Sequence, residues 1–156
     1  MPSLDAFLHV EIVHPDPDAG AEVLIRRFGG ARVEPRTADE IQRLVPGSRI
    51  VHVMAGPVVF QLIRPPADMT EWAEQLAAQG PSIFCLSFRV DDYQSCRDAL
   101  LEEGAEITSE FNPDFSSVGI GDGPFEGGIV DARELFGCRL EMIPASSGWQ
   151  DAGKAP

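Results

Sequence analysis

Apolar and polar positions alternate strictly along residues 84–90. Phe84, Leu86, Phe88 and Val90 fall on one face, and Cys85, Ser87 and Arg89 on the other. A period of two marks a strand with one apolar side. Beyond it, Asp91 or Asp92 is placed to cap a helix. Tyr93, Cys96 and Leu100 recur at helical spacing, and Gly104 stops the helix before another strand. The same order occurs in residues 8–33. There Leu8, Val10 and Ile12 form the apolar side, with His9, Glu11 and Val13 opposite. Asp16 and Pro17 read as N-cap and first helical residue, Leu24 and Phe28 as the sheet-facing stripe, and Gly29-Gly30 as the stop. Two copies of one strand–helix–strand unit, about 75 residues apart, make an internal repeat that governs the fold.

In chain order, strands are expected at 7–13 and 31–36 with a helix at 17–28 between them, then a short helical turn over 38–44. A hairpin follows, 49–54 and 58–63, turning on Ala55-Gly56. A linking helix over 69–79 carries Trp72 and Leu76 on one stripe and stops at Gly80-Pro81. The second copy gives a strand over 83–90, a helix over 92–103 and a strand over 105–110. A Gly/Pro/Ser-rich loop follows, then a hairpin, 127–132 and 138–143, joined around 134–137. The expected architecture is α+β: two tandem β-α-β-β-β modules forming a cupped, barrel-like mixed sheet with helices outside. The modules span 7–66 and 82–144, joined by a linking helix over 67–81 and followed by a flexible tail, 145–156.

Parity then fixes which side chains face the interior of the cup. On the helix side are Leu8/Val10/Ile12, Phe60/Leu62, Phe84/Leu86/Phe88 and Leu140/Met142. On the other are His9 and Glu11; Val59, Gln61 and Ile63; Cys85, Ser87 and Arg89; Arg139 and Glu141. That second face is unusually polar for an enclosed strand side, and buried polar groups are costly unless paired or bound to something. If the first hairpin turns on Ala55-Gly56, paired residue numbers sum to 111. His52 then faces Val59 on the same side as Gln61, as a general base or a substitute ligand. An odd-length loop would send it to the helix side. Glu11 is the other candidate base. Arg89 and Arg139 either pair with buried carboxylates or grip a substrate carboxylate by two-pronged hydrogen bonds, and Ser87 lies beside them. His14 follows the first strand and is expected at the surface.

Composition narrows the function classes. The 156 residues suit one ordinary domain or two small fused halves. A formal charge of −13 argues against nucleic acid and anionic membranes, which need Lys/Arg patches. It would suit a cationic ligand or simply an acidic solvated surface. No apolar run is long enough to span a membrane, and the opening Met-Pro-Ser-Leu-Asp has no secretory character. Cys85, Cys96 and Cys138 form an odd set without metal-knuckle spacing, as expected of reduced thiols in the cytoplasm.

The doubled module carries Phe-Arg-Val-Asp-Asp at 88–92, Phe-Gln-Leu-Ile-Arg-Pro at 60–65 and Gly-Cys-Arg-Leu-Glu-Met-Ile at 137–143. In this order and spacing the chain resembles the vicinal-oxygen-chelate superfamily over residues 7–143. That group includes glyoxalase I, methylmalonyl-CoA epimerase, extradiol dioxygenases, and fosfomycin- and bleomycin-resistance proteins. The resemblance implies a divalent metal held by the first and last strands of each half. The corresponding slots are His9, Gln61, Cys85 and Glu141. His, Gln and Glu are the types methylmalonyl-CoA epimerases use at the first, second and fourth slots. Cys85 stands where a His is usual, so it is either a thiolate ligand or a small filler. Iron chemistry of the extradiol type, needing two His and one Glu, is not expected.

Two functions follow from the resemblance. One is a metal-dependent isomerase, epimerase or lyase acting on a small metabolite or thioester. In it a zinc, cobalt, manganese, nickel or iron ion polarises a carbonyl or enolate oxygen, while His52, Glu11 or Glu141 serves the proton transfer. The other is a metal-free binding protein of the antibiotic-resistance type, holding a cationic or aromatic drug in an acidic trough. Superfamily members are often dimers, and a homodimer is expected here. A polyanionic CoA thioester sits poorly with the net charge, so a smaller oxygenated metabolite is an equal expectation.

Overall fold

A computed structural model describes residues 2–147. They form two compact units: residues 9–84, and residues 85–147 together with residues 2–8. The residues expected of a tail therefore divide. Residues 145–147 form a single 3-10 turn with Ser147 buried, and 148–156 lie outside the described residues.

The first unit runs β1 (Leu4–Val13), α1 (Pro17–Phe28), β2 (Ala31–Val33), α2 (Ala38–Leu44), β3 (Arg49–Ala55), β4 (Val58–Arg64) and α3 (Thr70–Gln79). Its strands lie in the order β2-β3-β4-β1, with β1 parallel to β4 and the others antiparallel. Asp16 caps α1 as the sequence implied, its Oδ1 accepting from the Ala19 amide at 3.0 Å. At the other end Gly29 takes a left-handed φ of 68°, which a side chain would oppose. Ala21 of α1 packs on Val51, Val53 and Leu62, with Leu24, Ile25 and Phe60 around them. Gly20 permits that approach, since a Cβ there would lie 2.8 Å from Leu62 Cδ2. Phe28 does not join this core and is 71% exposed. It shares the angular stripe of Leu24 but sits in the last turn of the helix.

The hairpin register also differs from expectation. Ala55 pairs with Val58, so the turn is Gly56-Pro57 rather than Ala55-Gly56, and His52 pairs with Gln61 rather than Val59. Gly56 has a φ of 59°, the positive value two-residue hairpins demand at their first central position. The shift is two residues, an even number, so every side chain keeps its predicted face.

The second unit runs β5 (Ser82–Val90), α4 (Tyr93–Glu102), β6 (Glu106–Phe111), β7 (Gly127–Ala132), α5 (Arg133–Phe136) and β8 (Cys138–Pro144). Its order, β5-β8-β7-β6, repeats that of the first unit position for position. Asp92 caps α4. Asp91 turns instead to the start of the chain, where its carboxylate accepts from the Ser3 amide and hydroxyl at 2.9 and 3.0 Å. Asp5 pairs with Arg89 at 2.6 Å, and Phe7 meets Phe88 edge-on. These contacts bind residues 2–8 to the second unit. The predicted stripe Tyr93, Cys96 and Leu100 packs on Val90, Val130, Ala132, Leu140 and Met142, with Leu86 and Phe88. Phe84 packs instead on Trp72 of α3, in the first unit.

Candidate functional site

Within the first unit, the strand face turned away from α1 carries a row of polar side chains. The parallel register sets Glu11 beside Gln61, and the antiparallel register sets His52 on Gln61's other side. Glu11, Gln61 and His52 thus stand abreast on three neighbouring strands. His9 lies two residues along β1, beside Val59. All four are buried, with exposures of 2% for His9, 6% for Glu11, 7% for Gln61 and 9% for His52. The α1 side of the same strands is filled by Val51, Val53, Phe60 and Leu62, so the polarity is confined to one face.

Two hydrogen bonds organise the row. Gln61 Nε2 lies 3.0 Å from His52 Nε2. An amide nitrogen only donates, so His52 Nε2 accepts and its ring proton resides on Nδ1. At the other end, the Trp72 indole donates to Glu11 Oε1 at 2.6 Å. Trp72 stands near the start of α3. Its ring stacks on Phe84 at 4.2 Å and 17°. One turn on, Gln75 Nε2 donates to Ser82 Oγ and the Ile83 carbonyl at 3.0 and 2.9 Å, fastening α3 to the start of β5. The sequence placed Trp72 on the buried stripe of the linking helix, but helical spacing says nothing of a polar partner 61 residues upstream. The signal in the chain was the conjunction of a buried carboxylate and a Trp needing an N–H acceptor.

In the second unit, β5 and β8 set Cys85 beside Arg139 and Ser87 beside Glu141. These lie on the face opposite the α4 core. Cys85 and Ser87 are fully buried, Arg139 is 4% exposed and Glu141 is half-buried. Among the described residues, Ser87 Oγ has no hydrogen-bond partner. Asp131 of β7 pairs with Arg139 in register, and its carboxyl is held below the usual range, mainly by Arg133 and also by the charge of Arg139. Arg89, a candidate substrate contact, is engaged by Asp5. His14 is half-buried, its Nδ1 accepting from the Asp16 amide.

The donor set bears on the implied metal. Within the first unit, His9 and Gln61 share one buried face, and the hydrogen bond from the Gln61 amide nitrogen to His52 turns the carbonyl oxygen Oε1 away from that ring. An imidazole and an amide oxygen on one buried face are donor types that suit a divalent cation of intermediate softness, and a partner on a ligand's far atom is how such ligands are oriented. The residue types therefore fit the ion. Among the described residues, no three His, Cys, Asp or Glu side chains come together as a cage. A separate cavity of about 720 Å³ lies in the second unit, lined by Asp91, Asp92, Asp122 and Glu126 among others. None of the polar strand residues described above lines it.

No protein-family model and no curated protein matches the chain. Solved structures do, and with the repeated strand order they define the class: the chain has the vicinal-oxygen-chelate fold. It is similar to methylmalonyl-CoA epimerase from Mycobacterium tuberculosis, with TM-score 0.63 and 20% identity over 90% of this chain and 88% of that one. A methylmalonyl-CoA epimerase in complex with methylmalonyl-CoA and NH4+ gives 0.64 and 18% over 95% and 99%. A mutant 4-hydroxymandelate synthase from Streptomyces coelicolor gives 0.66 and 22%, covering 100% of this chain and 43% of that one. Among the described residues no helix is long and apolar enough to cross a membrane.

Proposed function

We propose that the chain is an isomerase of the epimerase type, moving a proton on the carbon next to a carbonyl of a small acid or its thioester. The observation that supports this most is the buried row Glu11–Gln61–His52, a polar strip where a structural sheet would place apolar side chains. Removing a hydrogen α to a carbonyl needs a positioned base and stabilisation of the enolate oxygen. Glu11 is the base in this reading, because His52 Nε2 is taken up by the Gln61 amide. The Glu11 carboxylate takes the α-proton, the C–H electron pair passes into the enolate, water delivers a proton to carbon on the opposite face, and Glu11 releases its own proton to solvent. A divalent ion, when bound, would supply polarisation of the carbonyl oxygen. His9, Gln61 and Glu141 would hold it, with Cys85 as fourth ligand or filler. Arg139 and Ser87 would meet the substrate carboxylate, and His52 would orient Gln61. We also infer a homodimer, to be read by sedimentation across micromolar concentrations.

The test is hydrogen exchange at the reacting carbon. Protein and methylmalonyl-CoA are incubated in D2O with zinc, cobalt, manganese, nickel or iron(II). Deuterium entering the α-position, lost in Glu11→Gln, supports the reading. No exchange with methylmalonyl-CoA or with smaller 2-substituted β-dicarbonyl acids, under any of these ions, overturns it.

A further inference from the structure

The contact between Trp72 and Glu11 belongs to no ligand slot and no motif. A Trp N–H usually finds any convenient acceptor when buried. Here it finds the carboxyl group of Glu11, 6% exposed, at 2.6 Å. The indole is itself immobilised. It is stacked on Phe84, and its helix is pinned one turn later by Gln75 to Ser82 and Ile83. A donor this constrained restricts the carboxylate that it touches. A base needs such restriction, because catalysis depends on aiming one oxygen at one hydrogen.

We propose that Trp72 is a positioning residue, its indole N–H fixing the Glu11 carboxylate in the orientation from which it takes a proton from substrate. The proposal rests on Glu11 being the base of the reaction above. It gives α3, which reads in the sequence as a mere link between the halves, a direct part in the site. The stack on Phe84 and the hydrogen bond on Glu11 act together: one holds the ring plane, the other uses its edge.

Two measurements on the full chain test it. Trp72→Phe keeps a ring to stack on Phe84 but removes the donor. Turnover of methylmalonyl-CoA should fall at least tenfold in kcat with KM changed less than twofold, while the circular dichroism spectrum is retained. Independently of activity, the Trp72 indole proton, assigned by its loss in Trp72→Phe, should resonate at low field and exchange slowly with solvent. In Glu11→Gln it should move upfield, as a charge-assisted hydrogen bond becomes a neutral one. An indole signal unmoved by Glu11→Gln overturns the proposal. So does Trp72→Phe with wild-type kcat when Glu11→Gln is inactive. If Glu11→Gln itself keeps full turnover, the base assignment fails and the positioning role falls with it. If the wild type acts on neither methylmalonyl-CoA nor the smaller 2-substituted β-dicarbonyl acids, the functional reading is at fault, and the indole signal alone decides whether Trp72 holds Glu11.

Discussion

Gln61 and His52 face each other across β3 and β4, and the Gln61 amide nitrogen donates to His52 Nε2 at 3.0 Å on a face where both are more than nine-tenths buried. Removing the imidazole acceptor leaves a buried amide donor without its partner. The loss is of the order of 1–3 kcal/mol, against far less where a polar replacement can still accept. His52→Phe should therefore lower stability by about that amount in urea denaturation, and His52→Gln by about half of it or less. Equal losses in the two variants would mean that the contact is incidental and that only ring volume matters.

Asp18 sits near the start of α1 between two guanidiniums. Arg32 Nη1 lies 2.7 Å from its Oδ1, and Arg49 Nη2 2.8 Å. These hydrogen bonds, Arg49 first, hold its carboxyl well below the ordinary carboxylate value. The folded pKa is depressed, so the contribution to stability is present above the unfolded carboxylate's pKa, about 4. It is lost as pH falls from there through the folded value. The groups are 40–48% exposed on their side chains, so each pair contributes no more than about 1 kcal/mol. Asp18→Asn should destabilise the protein slightly at pH 7, less at 1 M salt, and progressively less as pH falls below about 4. A penalty that is unchanged at 1 M salt would argue against an electrostatic origin.

Tyr93 and Gly128 are fitted to one another. The Tyr93 hydroxyl donates to Glu110 Oε1 at 3.0 Å, and a Cβ on Gly128 would collide with that hydroxyl and lie 2.7 Å from the Ser109 carbonyl oxygen. Gly128→Ala should cost about 1–3 kcal/mol as overpacking. Tyr93→Phe should cost about 1 kcal/mol as a lost hydrogen bond. The double variant should be more stable than the sum of the two losses implies, by at least about 0.5 kcal/mol, because one clash is relieved while the backbone clash stays. Strict additivity would refute the fit. Burial, and then Glu110, also raise the Tyr93 pKa. The unfolded chain then ionises first as pH climbs past about 10, and stability falls there. Tyr93→Phe should flatten that alkaline decline.

The modules were legible because each level of the sequence agreed. Asp16 and Asp92 are capping residues ahead of helical stripes, Gly29 and Gly104 follow them, and the alternation at 84–90 needs no partner strand to be recognised. Parity survived even where register failed, since a two-residue slip at Gly56-Pro57 leaves His52 on the predicted face. Long-range polar pairing was not legible. Nothing local tells that Asp91 serves Ser3 while Asp92 caps the helix, or that Arg89 answers Asp5, 84 residues away. Trp72 was read as packing for the same reason. Phe28 departs from expectation: periodicity gives an angle around a helix, and this residue on the sheet-facing stripe is exposed all the same.

The metal remains the sharpest division between the two readings drawn from the sequence. If His9, Gln61 and Glu141 hold a divalent ion, that ion binds the folded chain and not the unfolded one. Its addition should then raise the melting temperature in proportion to the logarithm of its concentration above the dissociation constant. Glu141→Gln keeps the shape and removes the charge, and His9→Ala removes an imidazole. Each should abolish the shift while leaving the metal-stripped protein folded. Cys85→Ser separates the roles left open for Cys85. A thiolate ligand would take most of the shift with it, whereas a buried filler would leave the shift intact and change only the starting stability. If elemental analysis of protein purified without chelator finds no ion, and none of zinc, cobalt, manganese, nickel and iron(II) moves the melting curve, the metal-dependent mechanism is wrong. A metal-free binding protein would then be the better account. It requires a melting shift with cationic aromatic ligands that persists in Glu141→Gln.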